Sequence, residues 1–159
     1  MAIIPAMRHS FLLQRLMVCQ AFLPKPRVTR MTILLATDGK PHSEKAVKYA
    51  FDYAALRKES LYIVFAVSPK SEDDKERMIN QGMAVLEDMK KRGARENVKV
   101  TTMLEAGNPY EAVLNAADRV RADAIVVGTS GKTAIDRVLI GSVSEYIVRN
   151  SKCTVIVVK

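Results

Sequence analysis

Cys19 and Cys153 are the only two cysteines in the chain. Their number excludes a disulfide framework, and their spacing excludes a cysteine-built metal site. Such sparing use fits a reducing compartment, so the expected location is cytoplasmic. Long apolar runs are missing as well. The segment FLLQRLMVCQAFL is broken by Gln14, Arg15 and Gln20 and is too short to span a bilayer. It also lacks the clean apolar core and small-residue cleavage site of a secretory signal, so no membrane partner is expected. Acid is absent from residues 1–30, which carry Arg8, Arg15, Lys25, Arg27 and Arg30. The net charge is +8, so removing those five leaves +3 for residues 31–159. There bases and acids interleave, as in SEDDKER and EDMKKRGARE. A nucleic-acid footprint needs a basic stripe on the folded part, and this pattern reads instead as a solvated mixed-charge surface.

A true phosphate loop is also missing. GTSGKT resembles one in composition, but the pattern G-x-x-x-x-G-K-[ST] needs four residues between its glycines. Gly128 and the Gly131-Lys132-Thr133 triplet are separated by only two, and the required first glycine is replaced by Val126. The stretch therefore binds phosphate in another way or not at all.

What is present is enough for one domain. The chain has 159 residues, 48% hydrophobic and 26% charged, the balance of an ordinary globular protein. Two parts are distinguished. Residues 1–30 form an amino-terminal extension with the arginine-rich, acid-free composition of a transit peptide. An over-extended start is the preferred reading, because Met31 stands directly before the apolar run TILLATDG. A short amphipathic arm packed on the domain is the alternative. In either case Pro24 and Pro26 make PKPR a stiff, extended linker. Residues 31–159 are the domain.

Within the domain, strands and helices alternate. TILLAT (32–37), LYIVFAV (61–67), AIVVG (124–128) and TVIVVK (154–159) are apolar runs typical of strands buried on both faces. VKVTTML (98–104) carries more polar residues, as an edge strand does. Between them the spacing predicts helices over 43–58, 71–93, 107–122 and 142–151. Ser43, Ser71 and Asn108 are candidate N-caps, Pro109 stands at a first helical position, and Gly93 is a candidate stop. Ser142 and Glu145 have capping-box spacing. Met78, Met83, Leu86 and Met89 form a stripe that reads as core filler. The expected fold class is α/β, a five-stranded parallel sheet with helices on both faces, Rossmann-like. Ligands in such sheets bind outside the carboxyl ends of the strands where the strand order reverses. That points to ATDGKPHS and GTSGKT, at the ends of the first and fourth strands.

The glycines now have a setting. Gly128 ends a buried strand, Gly131 follows in the loop, and Gly141-Ser142 opens a helix, a spacing of G-x2-G-x9-G-S. Glycine lets backbone approach a ligand without a Cβ in the way. A helix N-terminus offers unpaired N–H groups to an anion. The loop's cations are Lys132 and Arg137.

At this point residues 31–159 resemble the universal stress protein family in its ATP-binding branch, which is marked by G-x2-G-x9-G-[ST]. ILLATDGKPHSEKAVKYA is similar to the family's first strand and helix, and EAGNPYEAVLNAA to its G-x-P segment. The resemblance implies an adenine-nucleotide alpha-hydrolase-like fold and bound ATP accompanied by Mg²⁺. It places Asp38 and the backbone of Ala36 and Thr37 on the nucleoside side, with Ala66 offering backbone groups to adenine. Gly128, Gly131, Gly141, Ser142 and the Val143 N–H would hold ribose and phosphates, with Lys132 beside them. It also implies a homodimer through the last strand, whose apolar edge needs cover.

Three functions compete. The first is a nucleotide-binding stress or regulatory module with slow or absent turnover. The second is a weak ATPase or phosphotransferase. The sequence shows no second carboxylate to hold Mg²⁺, and only His42 is placed to act as a base. The third is a scaffold that binds no nucleotide, against which the glycine pattern argues. The loop S-G-G-x-D-S of related pyrophosphatase-type enzymes is absent. The reading adopted is the module, with no catalytic residue assigned.

Overall fold

The computed structural model describes residues 30–129 and 141–159. The extension before Arg30, together with Gly131, Lys132 and Arg137 of the glycine loop, lies outside the described residues.

Five strands form one sheet: β1 (Ile33–Ala36), β2 (Leu61–Val67), β3 (Val100–Ala106), β4 (Ala124–Gly128) and β5 (Thr154–Val158). Every pairing is parallel, and the order across the sheet is β3-β2-β1-β4-β5. Four α-helices connect them among the described residues: α1 (Glu44–Arg57), α2 (Glu72–Glu96), α3 (Pro109–Val120) and α4 (Ser142–Asn150). The expected α/β class with helices on both faces is the observed one.

The alternation of side chains along each strand divides the core in two. Ile33, Leu35, Ile63, Phe65 and Val126 face one side, where Val47, Phe51, Leu86 and Met89 of α1 and α2 pack on them. Leu34, Val64, Ile125 and Val127 face the other, under Val113, Ala116 and Ala117 of α3 and Ile147 of α4. Both faces of β1 and β4 are therefore buried, which is why their sequences read as unbroken apolar runs rather than alternating ones. β3 is the more polar edge that its composition predicts, and β5 is the edge at the opposite end.

Several local expectations hold. Ser71 caps α2 by accepting from the Asp74 N–H at 3.2 Å, and Asn108 caps α3 by accepting from the Tyr110 N–H at 3.0 Å. Three differ. Gly93 does not stop α2. The helix continues to Glu96 and ends on Asn97 in the left-handed conformation. Gly93 is buried where α2 crosses β3, and a Cβ there would stand 2.5 Å from Val100 Cγ2 and 2.8 Å from the Val98 carbonyl oxygen. It is a glycine because of packing, not because of termination. Met83 does not join the methionine stripe in the core. It is 58% exposed, because its neighbour Gly82 takes the inward position against Phe65 and Leu104. Ser43 stands at the N-cap of α1 but makes no capping hydrogen bond, its hydroxyl being turned into the loop before it.

Among the described residues, Glu59 is the one place where the core carries an orphan. Its side chain is 3% exposed, neither carboxyl oxygen has a hydrogen-bond partner, and the nearest cation is the half-exposed Arg57 at 3.9 Å. A buried unsatisfied polar group costs about 1–3 kcal/mol. Glu59→Met, which keeps the length and removes the polar atoms, is expected to raise Tm by about 2–4 °C. A fall in the thermal melt would show that the Arg57 pair outweighs the desolvation.

Candidate functional site

The strand order reverses at β1. The chain leaves β1 toward β2, while β4 lies on the other side of β1. The loops leaving β1 and β4 therefore diverge and open a crevice at the carboxyl end of the sheet. A cavity of about 280 Å³ occupies this place.

Of the sequence-predicted site residues, Ala36, Thr37, Asp38, Ala66, Gly128, Gly141, Ser142 and Val143 all line this cavity. Gly131 and Lys132 lie outside the described residues. Thus a set running from residue 36 to residue 143 is gathered at one point by the sheet topology.

The floor is apolar. Ala36 is in register with Val64 on β2 and with Val127 on β4, so these three form one row across the sheet. Ala66 continues the same face one pleat further along β2. Pro109 and Val113, from the first turns of α3, close the cavity from that side. Sequence reasoning missed Val64, Val127, Pro109 and Val113. Ala66 comes from the family resemblance; strand alternation puts Val64, two residues earlier, on the same face of β2. The contribution of α3 depends on which face the helix takes, which the local sequence does not state.

Asp38 supplies the charge at the β1 end. Its Oδ1 accepts from the Lys40 N–H at 3.1 Å, and its Oδ2 lies 3.2 Å from His42 Nε2 and 3.4 Å from Lys40 Nζ. His42 lines the cavity as well. Gly39 makes this tight loop attainable. It sits at φ +69°, where a side chain is strained, and a Cβ would stand 2.5 Å from Val85 Cγ2 of α2.

At the other end α4 begins. Its N-cap is Gly141, at φ −61° and ψ 154°, and no described side chain caps the first turn. The capping box expected from Ser142 and Glu145 does not form, because the helix starts one residue earlier than that motif requires. Ser142 is already helical, the Ser144 hydroxyl donates to the Gly141 carbonyl at 2.9 Å, and Glu145 pairs with Arg149 at 2.9 Å. Among the described residues no side chain accepts from the amides at the start of α4, which stand at the wall of the cavity. Gly128, across from them, has ordinary room for a Cβ, the nearest atom being Ser43 Cα at 3.4 Å. The packing among the described residues does not demand glycine there.

The chemistry of such a site follows from its parts. A flat apolar slot takes an unsaturated ring, a carboxylate accepts from hydroxyl or amino groups, and an uncapped helix N-terminus favours an anion. No group of three or more histidine, cysteine or acidic side chains stands ready for a metal among the described residues. Nor is any described helix long and apolar enough to cross a membrane.

Comparison with known proteins gives one family. The universal stress protein family model matches residues 29–159. A universal stress protein of Methanocaldococcus jannaschii is 32% identical over 137 residues, covering 80% of this chain and 81% of that protein. Among solved structures, a universal stress protein in complex with cAMP is 30% identical with a TM-score of 0.67, over 81% of this chain and 97% of that one. The universal stress protein from Archaeoglobus fulgidus is 25% identical with a TM-score of 0.71, over 81% of this chain and 98% of that one.

Proposed function

The chain belongs to the universal stress protein family, and on that premise we propose that it binds ATP in the β1–β4 crevice as a stress-response module that turns nucleotide over slowly or not at all. The observation that carries this reading is convergence. Eight residues chosen for a nucleotide line one cavity, and the chain has the full G-x2-G-x9-G-S spacing. The relative solved with cAMP supports an adenine nucleotide as the ligand class.

In this reading adenine lies over the Val64–Ala36–Val127 row, with backbone groups of Ala66 at its edge. Asp38 and the backbone of Ala36 and Thr37 face the nucleoside. Gly128, Gly131, Gly141, Ser142 and the Val143 N–H take ribose and phosphates, and Lys132 neighbours the phosphates. Mg²⁺ would accompany the nucleotide. With no ready cluster of protein ligands among the described residues, it fits as an ion held chiefly by phosphate oxygens and water. A homodimer through β5 would cover that apolar edge, and the cytoplasm is the compartment that suits a chain with so few cysteines.

The reading is tested on the purified protein by native mass spectrometry and calorimetric titration. ATP with Mg²⁺ is expected to bind with a stoichiometry of one per chain. Absence of both co-purified nucleotide and a binding isotherm for ATP or cAMP would sink it. The weak-ATPase alternative rests on the contact of Asp38 with His42 at the cavity, since an oriented imidazole is a candidate base. Phosphate release over hours that is unchanged in His42→Asn removes this alternative.

A further inference from the structure

The loop between β1 and α1 contains two buried hydroxyls, and the direction of every hydrogen bond between them follows from chemistry. Thr37 is 7% exposed and Ser43 is 5% exposed. The Ser43 hydroxyl lies 2.8 Å from the Lys40 carbonyl oxygen, which only accepts, so the one serine proton points there. The Thr37 and Ser43 hydroxyl oxygens are 3.1 Å apart. With the serine proton already placed, threonine must be the donor in that contact. Thr37 in turn accepts from the Gly39 N–H at 3.1 Å. The Ser43 N–H closes the circuit onto the same Lys40 carbonyl at 2.9 Å. A single directed chain therefore runs from the Gly39 amide through Thr37 and Ser43 to Lys40. It encloses Asp38, whose own carboxylate is held from Lys40 and His42.

Neither hydroxyl has the role that its sequence position implies. Ser43 is not the side-chain cap of α1, and Thr37 lies just past the end of β1, its N–H still donating to the Val64 carbonyl at 3.2 Å. Both residues line the cavity. Burial of two hydroxyls is favourable only when both are satisfied, and here Thr37 donates to Ser43 while the Lys40 carbonyl takes the serine proton.

We propose that Thr37 and Ser43 are positioning residues for the nucleotide site, their hydroxyl chain holding the Asp38 loop in its ligand-ready shape before any ligand arrives. This rests on the β1–β4 crevice being the binding site. The chain also spends both hydroxyl protons inside the protein. Thr37 and Ser43 therefore meet a ligand as acceptors only, which suits a hydroxyl or amino group and disfavours a phosphate. The wall they form belongs to the nucleoside and not to the phosphates.

Two threonine variants separate the hydroxyl from the shape. Thr37→Val keeps the volume and loses the hydroxyl, whereas Thr37→Ser loses a methyl and keeps it. If a pre-formed loop sets affinity, the apparent Kd rises as the competent fraction falls. For both ATP and adenosine, Thr37→Val is expected to weaken binding about 10-fold, chiefly through the association rate, with Thr37→Ser within about two-fold of wild type. Thr37→Val combined with Ser43→Ala should bind no worse than Thr37→Val alone, because the two act as one unit. A merely structural role gives the opposite order, serine being worse than valine, and that result would overturn the proposal. Hydrogen exchange in the ligand-free protein reads the same device without nucleotide. The Gly39 amide is expected to exchange about 10-fold faster in Thr37→Val than in wild type or Thr37→Ser. Equal exchange in all three overturns the proposal even if nucleotide binds. Conversely, faster Gly39 exchange in a protein that binds neither ATP nor adenosine upholds the loop lock and rejects the nucleotide site.

Discussion

Gly141→Val is expected to lower ATP affinity about 100-fold, equivalent to about 2.7 kcal/mol, while the fold remains. Two properties of the position combine. Its φ of −61° and ψ of 154° lie in a region open to any residue, so valine meets no backbone strain. Yet Gly141 lines the cavity and stands at the head of an uncapped helix. A branched side chain there occupies the space through which an anion reaches the first amides of α4. Valine is a poorer N-cap than glycine by about 1 kcal/mol, so Tm should drop by only a few degrees. Calorimetric titration with ATP and Mg²⁺, beside a thermal melt followed by circular dichroism, measures both. Wild-type affinity in the variant would place the phosphates away from α4. A variant that fails to fold would show that Gly141 is held by packing and not by the ligand.

The largest expected stability effect is at Gly93→Ala. On helix propensity alone alanine would add about 1 kcal/mol to α2. The packing predicts the reverse sign. The new methyl would meet the Val98 carbonyl oxygen at 2.8 Å and Val100 Cγ2 at 2.5 Å, and the first of these is backbone that cannot rotate away. Overpacking of this kind costs typically about 1–3 kcal/mol. A net destabilisation of about 2 kcal/mol, a fall in Tm of about 4–8 °C, is expected in thermal or urea unfolding. A stability equal to or above wild type would mean that α2 does not lie against β3 as described.

These two glycines also mark what the sequence does and does not tell. The apolar runs at 61–67 and 124–128 coincide with β2 and β4, because a strand buried on both faces has no polar residues to blur its limits. The caps at Ser71 and Asn108 were legible because each depends on residues within one turn. Gly93 was misread because a helix stop and a close helix–strand contact use the same residue type for different reasons, and only the tertiary contact tells them apart. Ser142 was misread for a related reason. Its spacing to Glu145 satisfies a local rule, but the N-cap is the residue before it, a glycine that offers no side chain. At the site, the loops at 36–38 and 141–143 could be identified separately from their residue types. Their meeting depends on β4 lying beside β1, which neither loop states and which the alternation of elements does not fix, since the order 2-1-3-4-5 satisfies it equally. The α3 wall, Pro109 and Val113, was not legible, since nothing local to that helix says which strands it covers.

The placing of β1 has a consequence for how the chain assembles. One edge of β1 is covered by β2, from the next 30 residues or so of sequence, while its other edge waits for β4. The bond from the Thr32 N–H to Asp123 Oδ2 spans 91 residues. During synthesis the apolar Ile33–Ala36 edge therefore stays open until most of the domain has been made, and an open apolar edge is a template for pairing with another chain. Closing so long a loop is slow compared with forming the β1–α1–β2 unit. The crevice is the product of that late closure. A ligand of the proposed kind seated across it would act as a clasp on the seam between the early and late halves of the domain, stabilising them once they have met.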